Sequence, residues 1–241
     1  MTTKPDKYSM REIDIKLYQA CAKGSVKEVE SLIGQGANPS APYWVEPWPD
    51  DLDPNLYTED YYCVHEAAQN PDIRVIDLLI EHGADPNICE YWGRQPLAYA
   101  GQFNSLEMVK YLVEIGNDPS KCDDDGGTVL SWSALNPDVS VLEFLISHGA
   151  VIGDACFGGT ELDIALKEGS PDRVRYFVEH GSDLECISMN SFVDAPLENI
   201  RVLLECGLDP DYDDGYGEGR LVDILDPARK SLFIEFGAKP K

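Results

Sequence analysis

Five segments of the chain share one arrangement of apolar and polar positions. They are Ile76-Asp77-Leu78-Leu79-Ile80, Val109-Lys110-Tyr111-Leu112-Val113, Leu142-Glu143-Phe144-Leu145-Ile146, Val174-Arg175-Tyr176-Phe177-Val178 and Ile200-Arg201-Val202-Leu203-Leu204. Apolar residues at relative positions 0, 2, 3 and 4 predict a helix that buries one wide face and turns the interspersed polar residue outward. A glycine follows each segment, and glycine ends a helix because it adopts the left-handed conformation at the C′ position. Asn70-Pro71-Asp72 and Asn136-Pro137-Asp138 stand ahead of two of these helices. They predict turns, since Pro cannot extend a preceding helix and Asn or Asp favours the reversal. Each unit therefore reads as a short first helix, a turn and a second helix.

The terminating glycines open a recurring tetrapeptide. Its instances are Gly36-Ala37-Asn38-Pro39, Gly83-Ala84-Asp85-Pro86, Gly116-Asn117-Asp118-Pro119, Gly149-Ala150-Val151-Ile152, Gly181-Ser182-Asp183-Leu184, Gly207-Leu208-Asp209-Pro210 and Gly237-Ala238-Lys239-Pro240. Successive glycines are 47, 33, 33, 32, 26 and 30 residues apart. A period near 33 marks a solenoid of stacked helical pairs, not one core around a buried active site. The long first interval places an insertion rich in Pro, aromatics and acid at 40–60, including Trp44 and Trp48. The short fifth interval leaves the sixth unit without the loop that the others carry, and the seventh unit reads as a terminal cap.

The repeats resemble the ankyrin repeat. Its Thr-Pro-Leu-His-x-Ala signature is matched by Tyr62-Cys63-Val64-His65-Glu66-Ala67, Gln95-Pro96-Leu97-Ala98-Tyr99-Ala100, Thr128-Val129-Leu130-Ser131-Trp132-Ser133 and Thr160-Glu161-Leu162-Asp163-Ile164-Ala165. The resemblance implies an all-α solenoid of about seven helix–turn–helix units, with short β-hairpin fingers at right angles to the helices, forming one domain over 1–241. Its repeats end near 39, 86, 119, 152, 184, 210 and 240. It also implies that His65 bonds between neighbouring repeats, and that the fingers and first helices form a concave recognition face.

Charge narrows the choice of partner. The chain carries 44 acidic against 19 basic side chains, a net charge of −25. No Lys or Arg occurs between Glu28 and Ile73, Cys122 and Leu166, or Val202 and Gly219. Such a field repels nucleic-acid phosphates and anionic membranes and speeds encounter with a basic protein. No run approaches 18 apolar residues, so no spanning helix is expected, and no apolar run behind Lys4 suggests a signal peptide. The seven cysteines lack Cys-x-x-Cys spacing. They read as small buried hydrophobes in a reducing, cytoplasmic setting.

Candidate chemistry is sparse. His82, His148 and His180 each precede a terminating glycine, a placement that favours a helix C-terminus. No nucleophile arrangement stands apart from the repeat, so no catalytic residues are assigned. Asp209-Pro210-Asp211-Tyr212-Asp213-Asp214-Gly215 puts Asp214 where a helix–loop–helix calcium site needs Gly, and Arg220 where it needs Glu. No cofactor and no metal are assigned.

The expected site is a binding surface. Glu90, Tyr91 and Trp92 occupy one finger tip, Asp124 and Asp125 the next, and Phe157 a third. Tyr99, Phe103, Trp132 and Asp163 on adjoining first helices join them, with Trp44 and Trp48 in the insertion. Trp132 and Phe103 fit equally as filling between repeats. Large rings flanked by carboxylates suit a partner bearing Arg and Lys. The expected function is an interaction module, monomeric when free, resembling immunity proteins that neutralise a basic toxin or nucleic-acid-acting protein. The alternative is a general scaffold joining cellular proteins.

Overall fold

The computed structural model describes residues 10–43, 61–103, 105–153, 160–213 and 219–239. Within them the helices fall into seven consecutive pairs: α1 Glu12–Ala22 with α2 Val26–Gly34, α3 Cys63–Ala68 with α4 Ile73–Glu81, and α5 Pro96–Phe103 with α6 Leu106–Glu114. There follow α7 Val129–Trp132 with α8 Val139–Ser147, α9 Glu161–Glu168 with α10 Pro171–Glu179, α11 Met189–Val193 with α12 Leu197–Glu205, and α13 Leu221–Ile224 with α14 Pro227–Glu235. First helices pack on first helices (α1 on α3, α3 on α5, α5 on α7, α7 on α9, α9 on α11). Second helices form the other layer (α2 on α4, α6 on α8, α10 on α12, α12 on α14).

The second helices bury a stripe set slightly earlier than the apolar pattern suggests. In α4 the fully buried residues are Val75, Ile76 and Leu79, and in α8 Val141, Leu142 and Leu145, with Leu78, Ile80, Phe144 and Ile146 half-buried on the flanks. Each fully buried aliphatic side chain contributes about 1.5–3 kcal/mol of transfer free energy. One apolar cluster runs from Leu17 to Ala238.

Every repeat glycine does what the pattern requires. Gly36, Gly83, Gly116, Gly149, Gly181, Gly207 and Gly237 all have φ between +94 and +112°. The N–H one residue later reaches back to the last buried turn, as in Ala84 to the Leu79 carbonyl at 2.9 Å and Ala150 to that of Leu145 at 3.0 Å, so orphan carbonyls are satisfied. Where the third tetrapeptide residue is Asn or Asp it then closes an Asx turn: Asp85 Oδ1 accepts from the Asn87 N–H at 2.8 Å and Asp118 Oδ1 from that of Ser120 at 2.8 Å. At the other end, the Asp72 and Asp138 side chains accept from the N–H groups of Arg74 and Ser140, capping α4 and α8.

The fingers differ from the expected hairpins. Among the described residues the strands are β1 Pro42–Tyr43 and β2 Tyr61–Tyr62, antiparallel with Pro42 opposite Tyr62, plus one bridge between Cys122 and Thr128. Carboxylates, rather than a long ladder, close the later fingers. The sixth unit has a 3-10 turn at Leu184–Cys186 in place of a finger, and α13 of the seventh is only four residues long. The cysteines also depart from expectation. Cys21 and Cys63 are buried, but Cys89, Cys122 and Cys206 are half-buried and Cys186 is exposed.

Side chains stitch neighbouring turns together. Asn70 Nδ2 donates to the Cys21 carbonyl at 2.8 Å, and Asn136 Nδ2 to that of Gly101 at 2.7 Å. Arg173 Nη2 donates to the Asn136 carbonyl, Asn199 Nδ2 to those of Leu166 and Gly169 at 3.0 Å, and Arg229 Nη2 to that of Ala195 at 2.6 Å. Successive turns therefore lie side by side along one edge, with the fingers at the other end of the helices.

Candidate functional site

The fingers after α4 and α6 are built alike. Glu90, 6% exposed, accepts the N–H groups of Trp92 at 3.0 Å and Arg94 at 3.2 Å on its two oxygens. Asp123, at the equivalent place, accepts those of Asp125 at 3.1 Å and Gly127 at 2.7 Å. Burial raises the Glu90 carboxyl above its ordinary range, against the lowering effect of these bonds. Glu90 is thus a turn-closing group and not the surface contact expected of it.

Arg94 joins the two fingers. Its guanidinium lies 4.0 Å above the Trp132 ring, and its Nε is 3.3 Å from Asp123 Oδ2. The indole N–H of Trp132 donates to the same Asp123 oxygen at 2.9 Å. The Asp124 N–H donates to the Trp92 carbonyl at 2.8 Å, tying tip to tip. Gly93 and Gly127 are required here, because a Cβ on either would lie 2.8 Å from a carboxylate oxygen of Asp124 or Asp123. The gap among Arg94, Asp123 and Trp132 is about 10 Å³, the size of a single water and too small for an organic substrate. Trp132 therefore fills the joint between repeats, the second of its two expected roles.

Outside this joint the tips face solvent. Trp92 is 39% exposed, with Tyr91 edge-on at 5.0 Å, and Asp124 and Asp125 are exposed. Phe103 is 58% exposed, but it ends α5, whose eight residues carry it about 12 Å from the finger. Trp92 and Phe103 do not share a patch. Tyr99 is half-buried, edge-on to Tyr61 at 5.4 Å and to His65 at 5.5 Å. Asp163 is 4% exposed: it accepts from Thr160 N–H at 2.8 Å and from Ser188 N–H and Ser191 Oγ of the next unit at 2.9 and 2.6 Å. It joins repeats and presents nothing to a partner. Trp44, Trp48 and Phe157 lie outside the described residues.

His65 is enclosed. Its Nδ1 accepts from the Tyr62 N–H and its Nε2 donates to the Arg94 carbonyl, both at 3.3 Å. Burial lowers its pKa to about 4, outweighing the bonds that favour the charged form. The other three histidines each bond through Nδ1 to the carbonyl four residues earlier at 2.7–2.8 Å, as expected of C-terminal residues. Two features went unread in the sequence: the Arg94 joint, and a ring array in which Tyr18 stacks on Tyr43 at 3.7 Å and donates to Glu66 at 2.5 Å. Among the described residues no three His, Cys, Asp or Glu side chains group to hold a metal ion, and no helix is long and apolar enough to cross a membrane.

Stacked helix pairs with finger joints and a terminating Gly-Ala-Asp turn define a repeat protein built around one continuous apolar cluster. The chain belongs to the ankyrin repeat family: a model described as ankyrin repeats (3 copies) matches residues 17–121, and one described as ankyrin repeats (many copies) matches 97–146. It is similar to the ankyrin repeat protein FPV230 of Fowlpox virus (strain NVSL), 24% identical over 201 residues that span 81% of this chain and 99% of that protein. Its fold matches the crystal structure of the human ASB11 ankyrin repeat domain, with a TM-score of 0.72 at 19% identity, covering 93% of this chain and 99% of that one. Ankyrin repeats bind protein partners, and this chain is a protein-interaction module.

Proposed function

We propose that the exposed tips of the two joined fingers bind a basic protein and block its working surface. The observation that carries this is the tip itself. Trp92 stands exposed on a finger locked by Arg94, with Asp124 hydrogen-bonded to its carbonyl and Asp125 beside it. A rigid ring loses little freedom on binding, and carboxylates beside it pair with the Lys or Arg that the ring attracts. A net charge of −25 adds long-range attraction for a cationic partner, of which a toxin or a nucleic-acid-acting enzyme is the type most in need of masking.

The test is affinity capture at low salt with the chain and two variants, Trp92→Ala and Asp124→Lys/Asp125→Lys, followed by assay of the captured protein's own activity. The expected partner is strongly basic, is lost from both variants while their circular dichroism is unchanged, and is inactive when bound. Its association rate should fall on the order of tenfold between 50 and 200 mM salt. A captured partner that keeps its activity would make the chain an adaptor, and one held equally by both variants would remove the finger tips from the interface.

A further inference from the structure

A second surface lies at the turn edge. Of the nine large apolar side chains that are more than about a third exposed among the described residues, six stand where a first helix turns into a second: Phe103, Leu135, Val139, Val193, Leu197 and Ile224. They belong to pairs three, four, six and seven. The turns that carry them are held in register by the bonds from Asn136 to Gly101, Arg173 to Asn136, Asn199 to Leu166 and Gly169, and Arg229 to Ala195. The apolar groups therefore hold fixed places along the stack, one set on pairs three and four and another on pairs six and seven, with the turn of pair five between them. Apolar groups gathered on one edge in this way mark an interaction site, whereas single exposed side chains do not.

Its surroundings are acidic. Along the turn edge of pairs three to seven Glu107, Asp138, Glu168, Asp172, Asp194, Glu198 and Asp226 are exposed, against Lys167 alone among exposed basic groups. Arg229 is half-buried, with Nη1 on Asp226 at 2.5 Å. We infer that the turn edge of pairs three to seven is a docking ridge for a basic amphipathic helix of a second protein. Four steps between helix pairs span roughly 32–40 Å, the length of a helix of about 22–26 residues. Such a helix advances about 10.5 Å in seven residues, close to one step of the stack, so apolar residues on one of its faces meet the apolar turns on either side of pair five. Its Lys and Arg residues flank that face, opposite the carboxylates. A second copy of this chain does not suit the ridge, since −25 would meet an acidic edge. An anionic membrane is repelled for the same reason.

The experiment measures binding of a fluorescent Leu/Lys amphipathic helix of about 22 residues, and of its scrambled form, to the full chain by anisotropy. Scrambling should weaken binding about tenfold, and so should Val193→Ser/Leu197→Ser with unchanged circular dichroism, while Trp92→Ala should leave affinity within about twofold. Amide exchange on the unaltered chain should show new protection over 135–140 and 193–198. Equal binding of the scrambled peptide, loss of binding with Trp92→Ala instead of the edge variant, or protection confined to the fingers would each overturn the inference. So would a dimer in sedimentation that the edge variant dissolves, because a second copy would then be the occupant.

Discussion

His65 makes stability depend on pH in a calculable way. The imidazole is enclosed between α3 and the Arg94 finger segment, neutral, and its pKa is lowered to about 4, against about 6.5 in an unfolded chain. A group whose folded pKa lies below its unfolded value contributes no penalty above pH 6.5. As pH falls from there toward 4, the unfolded state takes up the proton that the folded state refuses. Linkage then predicts a loss of about 1.4 kcal/mol at pH 5.5 and about 2 kcal/mol at pH 5, relative to pH 7.5. The perturbation is His65→Gln, whose amide is neutral throughout and can accept from Tyr62 and donate toward the Arg94 carbonyl. Urea unfolding of both proteins from pH 7.5 down to 5 stays above the isoelectric point near 4.3. Every carboxylate contributes equally to both chains, so the difference between the two curves isolates the imidazole. The parent should lose about 2 kcal/mol more than the variant over that range. Parallel curves would refute the reasoning, and a parent that gains stability on acidification would reverse its sign.

Two further expectations follow from local geometry. Gly149→Ala puts a Cβ at φ +107° with open space around it, so only backbone strain opposes the change. It should destabilise by about 1–2 kcal/mol, lowering Tm by roughly 3–6 °C on calorimetry, and an unchanged Tm would contradict the left-handed cap. Asn199→Ala strips the Leu166 and Gly169 carbonyls of their buried donor. A loss of about 2–4 kcal/mol in urea unfolding is expected, and a loss under about 1 kcal/mol would mean that water replaces the amide.

The architecture was readable because its signals are local. A glycine with positive φ, an Asx turn two residues on, and an apolar stripe before it all lie within about ten residues; the glycine holds in all seven copies and the Asx turn in the five that carry Asn or Asp there. Asp163 shows how far such reading reaches. It aligns with His65 in the signature, and that alignment alone foretells a buried, repeat-joining group; treating it as a surface acid set the repeat's own logic aside. Glu90 and Trp132 are a different case. An acidic residue at a finger tip either closes the turn or faces solvent, and the choice depends on the N–H groups of Trp92 and Arg94. Trp132 turns inward because Arg94, 38 residues earlier, lies over its ring. Grouping Trp92 with Phe103 failed for a simpler reason: both are exposed aromatics of one repeat, but the length of α5 separates them. The stacking of Tyr18 on Tyr43 depends on a chain reversal that no local pattern encodes.

The turn-edge bonds all point one way: from Asn70, Asn136, Arg173, Asn199 and Arg229, each donor reaches back to a carbonyl of the unit before it. The two directions of shortening are therefore unequal. Deleting units from the front leaves the next unit's side-chain donor without its acceptor, but that side chain can rotate to meet water. Deleting from the rear strands a set of inward carbonyls at the new end, which then frays. A growing polypeptide meets the same asymmetry, each newly made unit sealing the one that emerged before it.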